Sequence, residues 1–170
     1  MDPYILVTYA TKMGSTQEVA RAIGEVLRSR GLDADVLAVE KVQSLAPYGA
    51  VVIGAALYMG RLHKHVRQFL NTHRQELAGR PVALFVLGPV TDAEKDLAAA
   101  EQQLARELAG LAWLAPVEKR LFGGRWDPAK MKFPFNLLLK RVPPSDARDW
   151  DAIHKFATGL AERFHPSVHA

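Results

Sequence analysis

The chain contains no cysteine. This excludes disulfide cross-links, thiolate metal centres and a cysteine nucleophile, and it favours the cytoplasm. Long apolar runs are missing too: none approaches the roughly 20 residues needed to span a bilayer. The N-terminus runs directly into "YILVTYA" instead of a basic region, a long apolar region and a cleavage site, so no signal peptide is expected. The phosphate-loop ending Gly-Lys-Ser/Thr, the dinucleotide fingerprint G-x-G-x-x-G and the nucleophile elbow G-x-S-x-G are all absent. No zinc, calcium or hydrolase constellation is visible, and no internal repeat or low-complexity stretch.

What is present is an ordinary globular composition. Of 170 residues, 49% are hydrophobic and 24% charged, enough for one domain with a sizeable core. Lys and Arg number 22 against 18 Asp and Glu, a net charge of +4, so the placement of the excess matters more than its size.

Tyr4 to Tyr9 is short, apolar and β-branched, which predicts a buried strand. From Ser15 the period changes: Val19, Ala20, Ile23, Val26 and Leu27 share one helical face, and Gly31 marks the end. "DADVLAV" and "AVVIGAAL" read as the second and third strands. A helix is expected over about 62–77, a fourth strand at "PVALFVLG" and a helix over about 93–111, with Thr91 and Glu94 in capping-box spacing. "PVEKRLFGG" is the fifth strand, 125–144 an irregular stretch, and 149–164 the last helix. Strands alternating with helices imply an α/β three-layer sandwich: a five-stranded parallel sheet with helices on both faces. The spacing suits the flavodoxin-like order 2-1-3-4-5, in which ligands bind beyond the carboxyl ends of the strands. Three loops meet there: 10–16, 55–61 and 88–92.

The first of these, "TYATKMGST", lies between a strand and a helix start. Unpaired main-chain N–H groups and the helix dipole favour an anion at such a place. Thr11, Ser15 and Thr16 add hydroxyls, Gly14 permits close backbone approach and Lys12 adds charge. A plainer reading stands beside it, in which Ser15 or Thr16 is only the helix N-cap. A magnesium-binding receiver domain needs acids after strands 1 and 3, where this chain has Ala10-Thr11 and Ala55-Ala56.

"YATKMGSTQEVARAI" resembles the phosphate-binding loop of flavodoxins, Thr-x-x-Gly-x-Thr running into the first helix. "GAALYMGRLHKHVRQFL", "FGGRWDPAKMKFPFNLLLKR" and "DWDAIHKFATGLAERF" are similar to segments of the flavodoxin-like, menaquinone-dependent protoporphyrinogen oxidases. The resemblance covers nearly the whole chain. It implies FMN as cofactor, with Thr11, Lys12, Met13, Gly14, Ser15 and Thr16 holding the phosphate. Ala56, Leu57, Tyr58, Met59 and Gly60 would flank the flavin ring, Tyr58 by stacking, and Gly88, Pro89, Val90, Thr91 and Asp92 would form the third loop. It also implies a redox enzyme that oxidises protoporphyrinogen IX or a related substrate and reduces a quinone, with no side chain assigned as acid or base. The rivals are a flavodoxin-type electron carrier, although such carriers tend to be acidic and this chain is basic, and a cofactor-free interaction module.

Between 125 and 141 five cations, Arg125, Lys130, Lys132, Lys140 and Arg141, face one acid, Asp127, and are interleaved with Trp126, Met131, Phe133, Phe135 and Leu137 to Leu139. This pattern suits contact with an anionic membrane surface, or a lid over a hydrophobic carboxylate substrate such as a porphyrin. A loop that packs its apolar residues and solvates its charges is the ordinary alternative; nucleic-acid stacking has little support. His63 and His65, two apart on the expected helix, face different ways and make a poor metal pair; His63, beside the second loop, could approach the flavin, but a surface position is expected. His165 and His169 lie beside Pro166 at the chain end, and Asp92, Glu94 and Asp96 are explained by a helix dipole.

Overall fold

The computed structural model describes residues 2–90 and 93–165. The expected sheet is there. β1 (Ile5–Tyr9), β2 (Ala34–Ala38) and β3 (Ala50–Tyr58) are joined by α1 (Ser15–Ser29) and a short 3₁₀ turn at Val39–Lys41. After β3 come β4 (Arg61–Leu62), α2 (Lys64–Thr72), α3 (Arg74–Ala78), β5 (Val82–Leu87), α4 (Glu94–Ala109) and β6 (Glu118–Phe122). Five parallel strands lie in the order β2-β1-β3-β5-β6, and β4 pairs antiparallel with the end of β3. The expected order 2-1-3-4-5 is this one, once the two-residue β4 is counted.

Alternation along each strand builds two cores. Ile5, Val7, Val52, Ala83 and Phe85 face one way, against Val19, Ile23 and Leu27 of α1 and Ile153, Phe156 and Leu160 of α6 (Trp150–Phe164). Leu6, Val51, Ile53, Leu84 and Val86 face the other way, against Val66, Phe69, Leu70, Leu77 and Leu104. Each fully buried side chain of this kind contributes about 1.5–3 kcal/mol relative to exposure. Arg21, Glu25 and Arg28 remain exposed on the outer side of α1, as its period requires. Asp149 caps α6 by accepting from the Ala152 N–H at 3.0 Å.

The expected helix over 62–77 is two helices. His73 ends α2 with φ −102° and ψ 19°, and α3 begins at the next residue. It also starts later than its apolar pattern suggests. A tight turn places Leu57 opposite Leu62 and Tyr58 opposite Arg61, with Met59 and Gly60 at φ 50° and 78° between them, so Leu62 completes a hairpin. At α4 the expected capping box falls partly outside the described residues. Ala93 is the N-cap and carries no side-chain cap, and Thr91 lies outside the described residues.

The segment after β6 is more ordered than its prolines suggest. β7 (Arg125–Trp126) pairs antiparallel with β8 (Ser145–Asp146), enclosing a 3₁₀ turn at Pro128–Lys130 and α5 (Phe135–Leu138). Both ends leave the sheet at one place. Gly124 N–H donates to Pro89 O at 2.7 Å, and Ala147 N–H donates to Gly124 O at 2.9 Å. A Cβ on Gly123 would stand 2.2 Å from Ala147 O, and one on Gly124 would stand 2.6 Å from Gly88 O. Three backbones therefore meet where no side chain fits.

Gly123→Val is expected to lower stability by about 1–3 kcal/mol, because main chain rather than a flexible side chain must give way. Urea unfolding monitored by circular dichroism checks this, and an unchanged midpoint would contradict the packing described.

Candidate cofactor site

At the carboxyl ends of β1, β3 and β5 the three loops converge, and α1 begins in an unusual way. Gly14 is its N-cap with φ 86°, a left-handed conformation, and no side chain caps the helix. Thr11 turns its hydroxyl inward instead, accepting from the Gly14 N–H at 2.9 Å. The alternative in which Ser15 or Thr16 is the N-cap is therefore not realised. Thr16 is buried, and its Oγ1 has no partner among the described residues. The helix start thus presents main-chain donors and a hydroxyl with no protein acceptor, an arrangement that fits an anion.

A cavity of about 150 Å³ opens beside it. Thr11, Lys12, Met13, Ser15 and Thr16 line it from the first loop, Ala56, Leu57 and Tyr58 from the second, and Gly88 and Val90 from the third. Met59, Gly60 and Pro89 do not line it; they border a neighbouring groove with Asp96 and Gln103. Met59 points into solvent. Thr91 and Asp92 lie outside the described residues. Tyr58 is 54% exposed, and its ring is engaged by Lys12, whose Nζ sits 3.6 Å from the centroid and so ties the first loop to the second.

Three further polar side chains line the wall. Arg125 and Trp126, which the sequence groups with a membrane- or substrate-facing patch, lie in this cavity with Gly124, and the Trp126 indole Nε1 is buried without a partner among the described residues. His63 is the third. It was expected at the surface but is only 8% exposed and lines the cavity. The hairpin is the reason: it carries His63 back over the sheet, where its N–H donates to Ala56 O at 3.2 Å. His63 and His65 do not face apart, because His63 is the extended N-cap rather than a helical residue. Their rings meet edge to face at 5.0 Å.

Charge around the site is strongly organised. Arg148, which the sequence did not single out, is the centre. Only 3% of its side chain is exposed. It holds both oxygens of Asp146 through Nε and Nη2 at 2.9 and 2.8 Å, and its Nη1 reaches Glu18 Oε2 at 2.7 Å. Glu18 is in the first turn of α1 and also receives Arg125 at 3.3 Å and Lys130 at 3.8 Å. Lys130 Nζ lies 3.9 Å from where a Cβ on Gly14 would stand. Partial burial pushes the Glu18 carboxyl up, but Arg148, Arg125 and Lys130 outweigh it, and the group titrates below its ordinary value. Asp146 is also held low, chiefly by its hydrogen bond from Arg148. Lys132, Phe133, Phe135, Lys140 and Arg141 do not line the cavity. Phe133 and Leu138 are 76% and 72% exposed. Among the described residues no cluster of three metal-ligating side chains exists, and no helix is long and apolar enough to cross a membrane. His165 closes α6 and bonds Arg30 O at 3.0 Å, while His169 lies outside the described residues.

The sequence matches the flavodoxin domain family over residues 6–142. The chain belongs to this family. Its relatives include protoporphyrinogen IX dehydrogenase [quinone] of Escherichia coli (strain K12), 24% identical over 172 aligned residues that cover 92% of this chain and 93% of that one. Among solved structures, a flavodoxin from the domain Archaea superposes with a TM-score of 0.59 at 15% identity, covering 96% of this chain and 99% of that one. Streptococcus pneumonia TIGR4 flavodoxin gives 0.60 at 17%, covering 94% and 99%. These neighbours establish the flavodoxin fold, and membership of the family supports FMN as the cofactor.

In this flavodoxin-domain protein, Arg148→Leu is expected to cost about 1–2 kcal/mol, since the carboxylates left behind are partly solvated. It should also speed proteolysis within 125–147. Because Glu18 and Asp146 titrate below their ordinary values, the Arg148 bonds stabilise the fold above the usual carboxylate range and weaken as pH falls through it. The stability difference between wild type and variant should therefore narrow on acidification, as urea midpoints measured from pH 7 down to pH 3 would show.

Proposed function

We propose that the protein is an FMN-dependent oxidoreductase that oxidises a protoporphyrinogen-type substrate and delivers the electrons to a quinone. The observation that carries the reading is the uncapped start of α1, with the unpartnered Thr16 hydroxyl, opening into a cavity walled by all three loops. Thr11, Lys12, Met13, Gly14, Ser15 and Thr16 hold the phosphate. Ala56, Leu57, Tyr58, Gly88 and Val90 flank the ring, and Arg125 and Trp126 close over it. Bound FMN supplies the electron chemistry, and the chain supplies position, a dry wall and local charge.

Enzyme is favoured over electron carrier on two grounds. The relative whose name is protoporphyrinogen IX dehydrogenase [quinone] aligns over nearly the whole chain. Lys12 and Arg125 stand in the cavity wall and Lys130 stands beside Gly14, a cationic environment that stabilises negative charge on a reduced cofactor and raises its potential. A very low potential suits a carrier, and a higher one suits taking electrons from an organic substrate.

The exposed face of 132–142 supports a second element, peripheral contact with an anionic bilayer face, where quinones reside. Phe133, Phe135, Leu137 and Leu138 are exposed there among Lys132, Lys140 and Arg141. Each such cation near an anionic surface contributes on the order of 1 kcal/mol.

FMN is expected to copurify or to titrate the chain to saturation, and Thr16→Val should weaken it about 10- to 100-fold through loss of a hydrogen bond to a charged group, read from flavin fluorescence. Anaerobic assays with protoporphyrinogen IX and a soluble menaquinone analogue separate enzyme from carrier. An FMN-loaded protein that leaves the porphyrinogen unchanged excludes the enzyme reading. In co-sedimentation, vesicles containing phosphatidylserine should retain wild type better than a Phe133→Ser/Leu138→Ser double variant, and equal retention would remove the membrane contact.

A further inference from the structure

His63 has a chemistry the cofactor reading does not use. Its backbone is held at both ends of the residue, and its ring is held by His65. The main-chain N–H donates to Ala56 O, the carbonyl accepts from Val66 and Arg67 at 3.0 and 3.2 Å, and the ring stands edge-on to His65, which is itself bonded to Glu40. The decisive contact is at Nδ1, which accepts the main-chain N–H of His65 at 3.2 Å. A nitrogen that accepts a hydrogen bond carries no proton, so a neutral ring must carry its proton on Nε2. Among the described residues Nε2 has no protein partner. The ring lines the same cavity as Lys12, Thr16 and Trp126.

We propose that His63 is a potential-setting residue: a neutral imidazole locked as the Nε2–H tautomer, which donates a hydrogen bond to the cofactor held in this cavity and favours its electron-rich reduced form. This rests on the FMN reading above. An imidazolium could not keep the bond from His65 N–H, because both ring nitrogens would then be donors. Burial first, then the charges of His65 and Lys12, push His63 below the ordinary histidine value, with Lys64 acting the same way and Glu40 opposing them. The ring is therefore uncharged at neutral pH. A fixed donor that does not titrate there biases the reduced state without adding a proton to the couple. Its neutral form stabilises the fold fully above the ordinary imidazole value and progressively less as pH falls below it.

The test uses the FMN-loaded wild type and two variants. His63→Ser keeps an acceptor for the His65 N–H and removes the donor in the cavity, and His63→Gln restores a longer amide donor. His63→Ser should bind reduced FMN about tenfold more weakly relative to oxidised FMN, which for a two-electron couple is a midpoint about 30 mV lower. His63→Gln should recover part of that loss. Nitrogen-15 spectra of wild type at pH 7 need no variant: His63 should show the Nε2–H tautomer, and its Nε2–H resonance should shift when FMN is added. FMN uptake with an unmoved Nε2–H, an Nδ1–H tautomer, or a His63→Ser midpoint equal to wild type overturns the proposal while leaving the cofactor site intact. A wild type that takes up no FMN overturns the site reading itself, and the proposal with it.

Discussion

An electrostatic vacancy at the head of α1 organises this molecule. The chain enters that helix through a left-handed glycine, spends its threonine hydroxyl on the turn itself and leaves the first-turn donors without a side-chain acceptor. Helix starts are ordinarily closed by Ser, Thr, Asp or Asn, which stabilise them by about 1 kcal/mol. Here that stabilisation is forgone beside the central strand, where α1 cannot fray without disturbing the core that Val19, Ile23 and Leu27 build with α6. The helix is held by packing rather than by its cap, and its positive end is left available for binding.

Around that end the charges are arranged in layers. Glu18 in the first turn gathers Arg148, Arg125 and Lys130, so the cations nearest the site are oriented by a carboxylate set slightly back from it. The buried guanidinium of Arg148 ties the carboxyl side of β8 to α1, and Lys12 over Tyr58 ties the first loop to the second. The pocket walls are thus joined mainly through side-chain cations, whereas the sheet beneath is held by apolar packing. The two sets of forces respond differently to salt and pH, so the site and the scaffold are separable in energy although continuous in space.

Much of this architecture can be read from the residues. Periodicity placed every long strand and helix, because apolar side chains at spacing 2 or 3.6 must be buried together, and the hydroxyl-rich loop identified the helix mouth. The departures have separate origins. His63 was put on a helix because Leu62 fits its apolar period, yet Leu62 belongs to a hairpin whose turn needs Met59 in a conformation non-glycine residues seldom adopt. Without that turn, the histidine is assigned to the surface rather than to the cavity wall. Trp126 was grouped with its basic, apolar neighbours, when the paired glycines before it are what carry it inward. Arg148 gave no periodic signal. Its clue was position, just ahead of the Asp149 cap and within reach of a helix start more than a hundred residues earlier.

The glycine clasp at 123–124 has an architectural consequence. Because the intervening stretch departs and rejoins at a single point, its length is geometrically independent of the strands beneath. Lengthening, shortening or exchanging the part between β7 and β8 changes what the molecule meets at its rim without asking the sheet to reregister. The part beyond the β7–β8 pair behaves as an interchangeable fitting, and selection can retune its outer contacts while Arg125 and Trp126 at its root keep the cavity wall.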